Sequence, residues 1–298
     1  MKIRIGTNEP EGTFNIQGKA LADVLRLAGI GDVEIVETVS ASVENAKRLG
    51  AGELQFGFMA ANWIGRALRG EPPFTAPIAI RMASPANAGP MFLVTRTDSG
   101  LSSIDDLRGK RVAVGPEGGG MVQHMHSILD ALGMGFQAIQ PAYLNFAEGA
   151  AALAAGEVDV QWQCPVPNRV MTDLARRIDV RVLQYAPGQL ASVLKAVPFY
   201  RRAVLYRDAF RGLPGDSDQV GVLNVLVTHE RVDPALVRDV VAAMVDGADR
   251  LAQAQPLYRG LRALYEPLAK EGPQALQPGG VPLHPGALQA YRAAGLLA

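Results

Sequence analysis

Cysteine is nearly missing from this 298-residue chain: Cys164 stands alone. An intramolecular disulfide is therefore excluded, and the redox compartment cannot be read from cysteine use. Long apolar runs are missing as well. None reaches the roughly 18 residues that a membrane-spanning helix needs, so direct insertion into a bilayer is not expected. Neither sign of charge prevails, with 29 Lys plus Arg against 29 Asp plus Glu. That balance argues against a nucleic-acid partner and offers an anionic membrane no polybasic handle. Histidines are few and badly spaced for a metal. His124 and His126 lie two apart on a helical stretch and cannot share a face, while His229 and His284 are isolated. No metal and no cofactor is expected. Met1-Lys2-Ile3-Arg4-Ile5-Gly6 reads as the entry to a strand and not as an apolar leader.

What is present suits buried cores. Apolar residues make up 48% and charged residues 19% of the chain, enough for about two domains of ordinary size. Ile3 to Gly6, Val33 to Thr38 and Leu54 to Met59 read as strands. A helix capped by Thr13, with Leu21, Val24 and Leu25 at helical spacing, and a second over Val43 to Leu49 opened by Ser40 or Ser42 separate them. This β-α-β-α-β order with nearly continuous apolar strands predicts a mostly parallel sheet covered on both faces. The plan returns after residue 90. Strands are expected at Met91 to Thr95, Arg111 to Gly115, Pro141 to Leu144, Val158 to Gln163 and Val180 to Gln184, with a helix over Met121 to Leu132. The tail from Pro234 reads as mainly helical, including a segment from Leu257 to Leu268. Tyr206 to Val220 reads as a linker.

A local similarity joins the halves. Asn45 to Leu49 leads through Gly52-Glu53 into a strand, and Gly149 to Leu153 leads through Gly156-Glu157 into another. The repeated layout predicts two similar α/β lobes with a ligand cleft between them. Lobe 1 is expected over 1–88 and 205–298, and lobe 2 over 89–204.

In open parallel sheets, ligands bind beyond the carboxyl ends of the strands. Four loops fall there: Asn8 to Asn15, Ala60 to Trp63, Pro116 to Met121 and Gln163 to Asn168. Asn15, Asn62 and Trp63 become candidates by this placement. Gly115-Pro116-Glu117-Gly118-Gly119-Gly120-Met121 lies between a strand and a helix start, where backbone amides favour an anion. It lacks a Gly-Lys-Ser/Thr ending and a Gly-x-Gly-x-x-Gly spacing, so a nucleotide reading fails. Glu117 would repel an anion unless it turns away or meets an amine; Met121 closes the loop. A tight turn with no ligand is the bland alternative. Gln161-Trp162-Gln163-Cys164-Pro165-Val166-Pro167-Asn168 sets amides and an indole on a stiff segment suited to a small polar ligand. A core Trp162 with solvent-facing glutamines is nearly as good a reading. Cys164 has no evident base to make it a nucleophile. Asp105-Asp106 reads as solvated charge.

Motifs along nearly the whole chain resemble the TAXI family of solute-binding proteins, which serve tripartite ATP-independent periplasmic (TRAP) transporters. They are Ile5-Gly6-Thr7 with Gly12-Thr13-Phe14, Ser42-Val43-Glu44-Asn45, Asp98-Ser99-Gly100 through Asp106-Leu107-Arg108-Gly109-Lys110-Arg111-Val112, and Val114-Gly115-Pro116. Pro167-Asn168 and Pro282-Leu283-His284-Pro285-Gly286-Ala287 complete the set. The resemblance implies a two-lobed periplasmic-binding-protein-like fold that closes on a small carboxylate, an organic acid or amino acid, and passes it to membrane transporter subunits. Carried over by motif, the ligand positions are Thr13, Phe14, Ser42, Asn45, Gly118, Gly119, Gly120 and the loop from Gln163 through Cys164 and Pro165 to Pro167. Two departures bear on the ligand: Gly120-Met121 stands where the family has small hydroxyl residues, and Gln163-Cys164-Pro165 where it has small ones. The resemblance implies a periplasmic protein if a leader was removed; a natural start at Met1 implies the cytoplasm. Binding without chemistry is the expectation. The alternatives are a decarboxylase or biosynthetic enzyme using Cys164, His124 or Glu117, and a cytoplasmic metabolite sensor.

Overall fold

The chain opens by alternating strand and helix: β1 (Lys2–Gly6), α1 (Thr13–Leu27), β2 (Asp32–Val36), α2 (Ser42–Ala51), β3 (Phe56–Ala60) and α3 (Ala61–Arg69). A long strand follows, β4 (Ile80–Arg96). Next come β5 (Arg111–Ala113), α4 (Gly120–Ala131), β6 (Gln140–Ala142), α5 (Phe146–Ala155), β7 (Val160–Gln163), α6 (Arg169–Arg177), β8 (Val180–Val182), α7 (Gln189–Ala196) and β9 (Tyr200–Leu205). A second long strand, β10 (Ser217–His229), leads into a helical tail. This tail comprises α8 (Pro234–Asp246), α9 (Ala248–Ala254), α10 (Leu261–Tyr265), α11 (Pro267–Glu271) and α12 (Pro285–Ala293). The computed structural model describes residues 2–8, 10, 12–117, 120–163, 166–197 and 199–298. The chain divides into two units, Met1–Asn87 with Leu223–Ala298, and Ala88–Val222. Both passages between units fall inside strands, β4 and β10.

The first unit is built on the strand order β2-β1-β3-β10. β1 runs parallel to both neighbours, with Ile3 opposite Val33 and Ile5 opposite Ile35 and Phe56. Ile3 and Ile5 are fully buried while Lys2 is exposed, the alternation expected of a strand with one face against a helix layer. β10 lies antiparallel to β3, pairing Val225 with Met59 and Val227 with Gly57. The tail packs onto this unit. Leu283 bridges to Met82, and the Tyr291 hydroxyl donates to the Ala83 carbonyl at 2.9 Å.

The second unit repeats the plan with the order β6-β5-β7-β4, in which β5 is parallel to β6 and β7 while β4 is antiparallel to β7. Its core gathers Phe92, Val94, Leu153, Met171, Leu174 and Phe210. The similarity read around the two Gly-Glu pairs reaches into the hydrogen bonds. Gly52 and Gly156 both end their helices in the left-handed region, at φ 78° and 75°. Beyond them, the Gln55 N–H donates to the Arg4 carbonyl and the Gln55 side chain accepts from the Arg4 N–H. In the second unit the Asp159 N–H donates to the Arg111 carbonyl and its carboxylate accepts from the Arg111 N–H. The Arg111 guanidinium bonded to that carboxylate holds Asp159 below the usual carboxylate range.

Three expectations differ from the structure. The strand read at Met91 to Thr95 is the end of β4, whose Ala83-Ser84-Pro85-Ala86-Asn87-Ala88-Gly89-Pro90 portion is small and proline-bearing and so mimics a loop, although it is largely buried. The linker read over Tyr206 to Val220 is the connection from β9 to β10 plus the start of β10, which pair antiparallel, Ser217 with Leu205. The helix read over Leu257 to Leu268 is split into short pieces, because Pro267 cannot continue a helix that arrives from Tyr265.

Gly156 allows a clean test of the helix-to-strand turn, since a Cβ there would meet nothing within 4 Å. Gly156→Ala is expected to lower stability by about 1–2 kcal/mol through backbone strain alone. Urea denaturation measures it, and an unchanged midpoint would show that the turn relaxes to negative φ.

Candidate functional site

α1, α2 and α3 each start at the carboxyl edge of the first unit's parallel strands. Their cap positions, Gly12, Ala41 and Ala60, carry no capping side chain. Asn145, Asn168, Asp233 and His284 cap α5, α6, α8 and α12, whereas α7, α9, α10 and α11 also start without a capping side chain. At the starts of α1 and α3, the Asn15 N–H donates to Asn8 Oδ1 at 2.8 Å and the Ala60 N–H to Ser42 Oγ at 3.0 Å. Ala41, at φ 45°, holds a conformation that L side chains rarely adopt, immediately before Ser42.

The predicted residues of this edge play different parts. Thr13 is half-buried, and Phe14 is buried against Phe58 with ring centroids 5.9 Å apart. Asn15 is fully buried. Its Nδ2 donates to Thr7 Oγ1 and Glu37 Oε1, and its Oδ1 meets no partner. Asn45 is saturated. Its Nδ2 donates to the carbonyls of Thr7 at 2.8 Å and Phe58 at 2.9 Å, and its Oδ1 lies 3.2 Å from the Thr38 hydroxyl, whose proton it shares with the Thr7 carbonyl at 2.8 Å. Asn62 is half-buried with Oδ1 unpartnered. Trp63 is half-buried, and the Arg66 guanidinium carbon lies 5.4 Å from its ring centre.

Residues that the sequence reading missed lie at the same edge. Gln17 on α1 is fully buried and donates from Nε2 to Asn87 Oδ1 at 3.1 Å. Asn224 on β10 donates to the same oxygen at 3.1 Å, and its neighbour across the ladder is Ala60 at the end of β3. Gln17 Oε1 and Asn87 Nδ2 are left buried without partners. A signal existed for Gln17, which follows Thr13-Phe14 by one turn on a largely apolar helix. None existed for Asn87 and Asn224 while their strands went unread. A separate cavity of about 580 Å³, lined by Lys47, Gly50, Phe74, Ile78 and His229 among others, includes none of these residues.

In the second unit, Glu117 and Gly120 are exposed at the start of α4, and Gly115 precedes them at φ 98°. Gly118, Gly119, Cys164 and Pro165 lie outside the described residues. Trp162 is buried, and its indole N–H donates to the Met121 carbonyl at 3.1 Å, so it ties β7 to the start of α4. Gln161 donates to the Phe146 carbonyl at 2.7 Å and leaves Oε1 unpartnered. Gln163 is fully buried, and neither its Nε2 nor its Oε1 has a partner. Pro167 is exposed, just before the capping Asn168.

Electrostatically both units are plain inside. Among the described residues, no Lys, Arg, Asp or Glu is buried; buried polar groups are amides, hydroxyls and the imidazoles of His124 and His284. His124 Nδ1 lies 2.9 Å from the Tyr200 hydroxyl, and burial pushes its pKa down to about 4, so the ring is neutral at physiological pH. Burial also raises the Tyr200 phenol. Among the described residues no group of three or more His, Cys, Asp or Glu could hold a metal. No described helix is long and apolar enough to cross a membrane. Such an interior is equipped to hold a polar molecule by hydrogen bonds.

Comparison with known proteins agrees with this architecture. The model of the NMT1-like family matches residues 5–295. The structure of PhnD1 from Prochlorococcus marinus (MIT 9301), in complex with methylphosphonate, is similar with a TM-score of 0.57 at 10% identity, covering 88% of this chain and 91% of that one. A periplasmic sulfonate-binding protein, SsuA from Methylobacillus flagellatus KT, gives 0.56 at 17% identity over 100% of this chain and 88% of that one. A TctC solute-binding protein from Polaromonas gives 0.54 at 15% identity, covering 88% of each. At these identities the likeness establishes the fold: α/β, with parallel strands flanked by helices, of the periplasmic-binding-protein kind.

Two measurements follow from the buried groups. Asn45→Ala takes the amide donor from the Thr7 and Phe58 carbonyls, although the Thr7 carbonyl and the Thr38 hydroxyl still bond each other at 2.8 Å, so a loss of about 2 kcal/mol in urea denaturation is expected. A loss below about 1 kcal/mol would mean that water replaces the amide. For His124, the unfolded chain binds a proton below its ordinary pKa of 6.5, whereas the folded chain does so only near 4. Stability from this group is therefore whole above pH 6.5 and is lost as the pH falls toward 4, by about 3 kcal/mol in all. His124→Gln should flatten that part of the stability profile between pH 7 and 4; an unchanged slope would place the acid sensitivity elsewhere.

Proposed function

The chain belongs to the NMT1-like family, and from that membership we propose that it is a solute-binding protein that captures a small polar organic molecule and delivers it to a membrane transporter. The TAXI resemblance makes a TRAP-type system the transporter to test, the periplasm its place of work and an organic acid or amino acid the first ligand class. The structural neighbours add sulfonates and phosphonates to the compounds worth trying. One observation carries the reading. Uncharged, buried side chains at the carboxyl edge of the first unit, Asn15, Gln17 and Asn87, keep polar atoms without protein partners. Buried polar groups are nearly always paired, so such atoms mark a place where a bound molecule completes the hydrogen bonding. Binding with no turnover fits the interior. His124 is neutral and bonded to a tyrosine, and Glu117 is exposed.

Thermal unfolding against amino acids, dicarboxylates, sulfonates and phosphonates tests the proposal. A true ligand at about a hundred times its dissociation constant adds about 2.7 kcal/mol and raises the midpoint by several degrees. The expected result is a shift from one compound class, with the compound recovered unchanged. Conversion of the compound during incubation would make the protein an enzyme instead.

A further inference from the structure

The three amides of Gln17, Asn87 and Asn224 come from α1, β4 and β10, and they form one chain centred on Asn87 Oδ1, with both donors at 3.1 Å. Gln17 and Asn87 are, respectively, 0% and 3% exposed, yet Gln17 Oε1 and Asn87 Nδ2 have no partner. The chain does not tolerate such waste everywhere: Asn45, equally buried in the same unit, uses both its amide nitrogen and its oxygen. We propose that this amide chain is a ligand-binding subsite for an uncharged group that both donates and accepts hydrogen bonds, a carboxamide or a hydroxyl, and that it selects against a carboxylate.

The argument is one of hydrogen-bond valence. As the bonds stand, the pair offers an acceptor at Gln17 and a donor at Asn87. Turning all three amides over together keeps both internal bonds and merely exchanges the ends, so that Gln17 offers a donor and Asn87 an acceptor. In either state one donor and one acceptor are left without a protein partner. A carboxylate is acceptor-only and would set an oxygen against an oxygen; an ammonium is donor-only and fails at the other atom. A carboxamide or hydroxyl satisfies both. Charge points the same way. No Lys or Arg is buried among the described residues, so no side-chain cation stands ready to pair with an anion in this interior. Gln163 of the second unit, also uncharged, buried and unpartnered, belongs to the same chemical kind.

This inference rests on the solute-binding reading, and the experiment separates the two. Thermal midpoints are recorded for the wild type and Gln17→Met with matched sets: malonate, succinate and glutarate, their diamides, and the diols of the same length. Methionine keeps the length of glutamine and removes both amide atoms. Small molecules released on denaturation are identified by mass spectrometry and added to the set. The expected result is a rise of several degrees with at least one diamide, diol or released uncharged compound, none with the matching acid, and no rise in Gln17→Met. Without ligand, the variant should unfold at or above the wild-type midpoint, because an unsatisfied buried carbonyl is gone. Should Gln17→Met fail to fold, Asn224→Ala, at a half-buried position of the same chain, takes its place. A shift from acids alone, or an uncharged-ligand shift that survives in the variant, overturns the subsite and leaves solute binding standing. No shift and no released molecule overturns both.

Discussion

The amide of Asn45 holds the carboxyl edge of the first unit together. Its nitrogen reaches the carbonyl of Thr7, just past β1, and that of Phe58 within β3; its oxygen receives the hydroxyl of Thr38, just past β2. One side chain thereby fixes the ends of three parallel strands. Its neighbours make room for it. A Cβ on Gly6 would collide with the Asn45 amide, and one on Gly57 would sit 3.2 Å from Asn45 Cβ. With the strand ends fixed, the start of α3, which follows β3 directly, is fixed too, and those of α1 and α2 lie within seven residues of a fixed end. A cluster of helix starts is a useful site only if it is rigid, and here the rigidity comes from a saturated buried amide.

The same preference for uncharged groups runs through both interiors. Among the described residues no Arg, Lys, Asp or Glu is buried, and many pair nearer the surface, as Arg111 does with Asp159 and Arg262 with Asp249. Exposed pairs of this kind contribute little to stability, so burial of Ile3, Leu21, Trp162, Phe92 and their neighbours carries the fold. The sequence shows equal numbers of positive and negative residues, but only the structure shows that, among the described residues, neither sign enters the core.

The parallel strands, the helices between them and the paired Gly-Glu turns were legible in the sequence because periodicity and glycine punctuation are local signals. The two long antiparallel strands were not. β4 hides behind Pro85, Gly89 and Pro90, and β10 begins in a stretch rich in Asp and Gly; both are specified by pairing with distant segments such as β3 and β7. Losing those strands meant losing Asn87 and Asn224. The loops that could be read gave Asn15, Asn62 and Gln163, each of which has an unpartnered buried atom. They also gave Asn45 and Trp162, whose polar groups are occupied within the protein. Residue type and spacing mark a polar residue at a strand end, but they carry no information on whether its hydrogen bonds are already made.

The internal repeat separates scaffold from site more sharply than either unit does alone. At the amino edge the units agree: a left-handed glycine ends the helix, and a polar side chain two residues after glutamate locks an arginine backbone. At the carboxyl edge they part. α5 begins with a reciprocal cap, Asn145 accepting from the Glu148 N–H and Glu148 from the Asn145 N–H. α2 begins at the corresponding place with Ala41 in a strained conformation, and Glu44 bonds the amides of Val39 and Ser40. Asn45 is likewise matched by Gly149, which packs directly against Gln161. An edge that only had to fold would show the same devices in both units, as the amino edge does. The divergence between these matched helices falls at the ends of the strands where α/β sheets bind their ligands, and so the strained start of α2 and the unpaired amides of that edge are better explained by recognition than by folding.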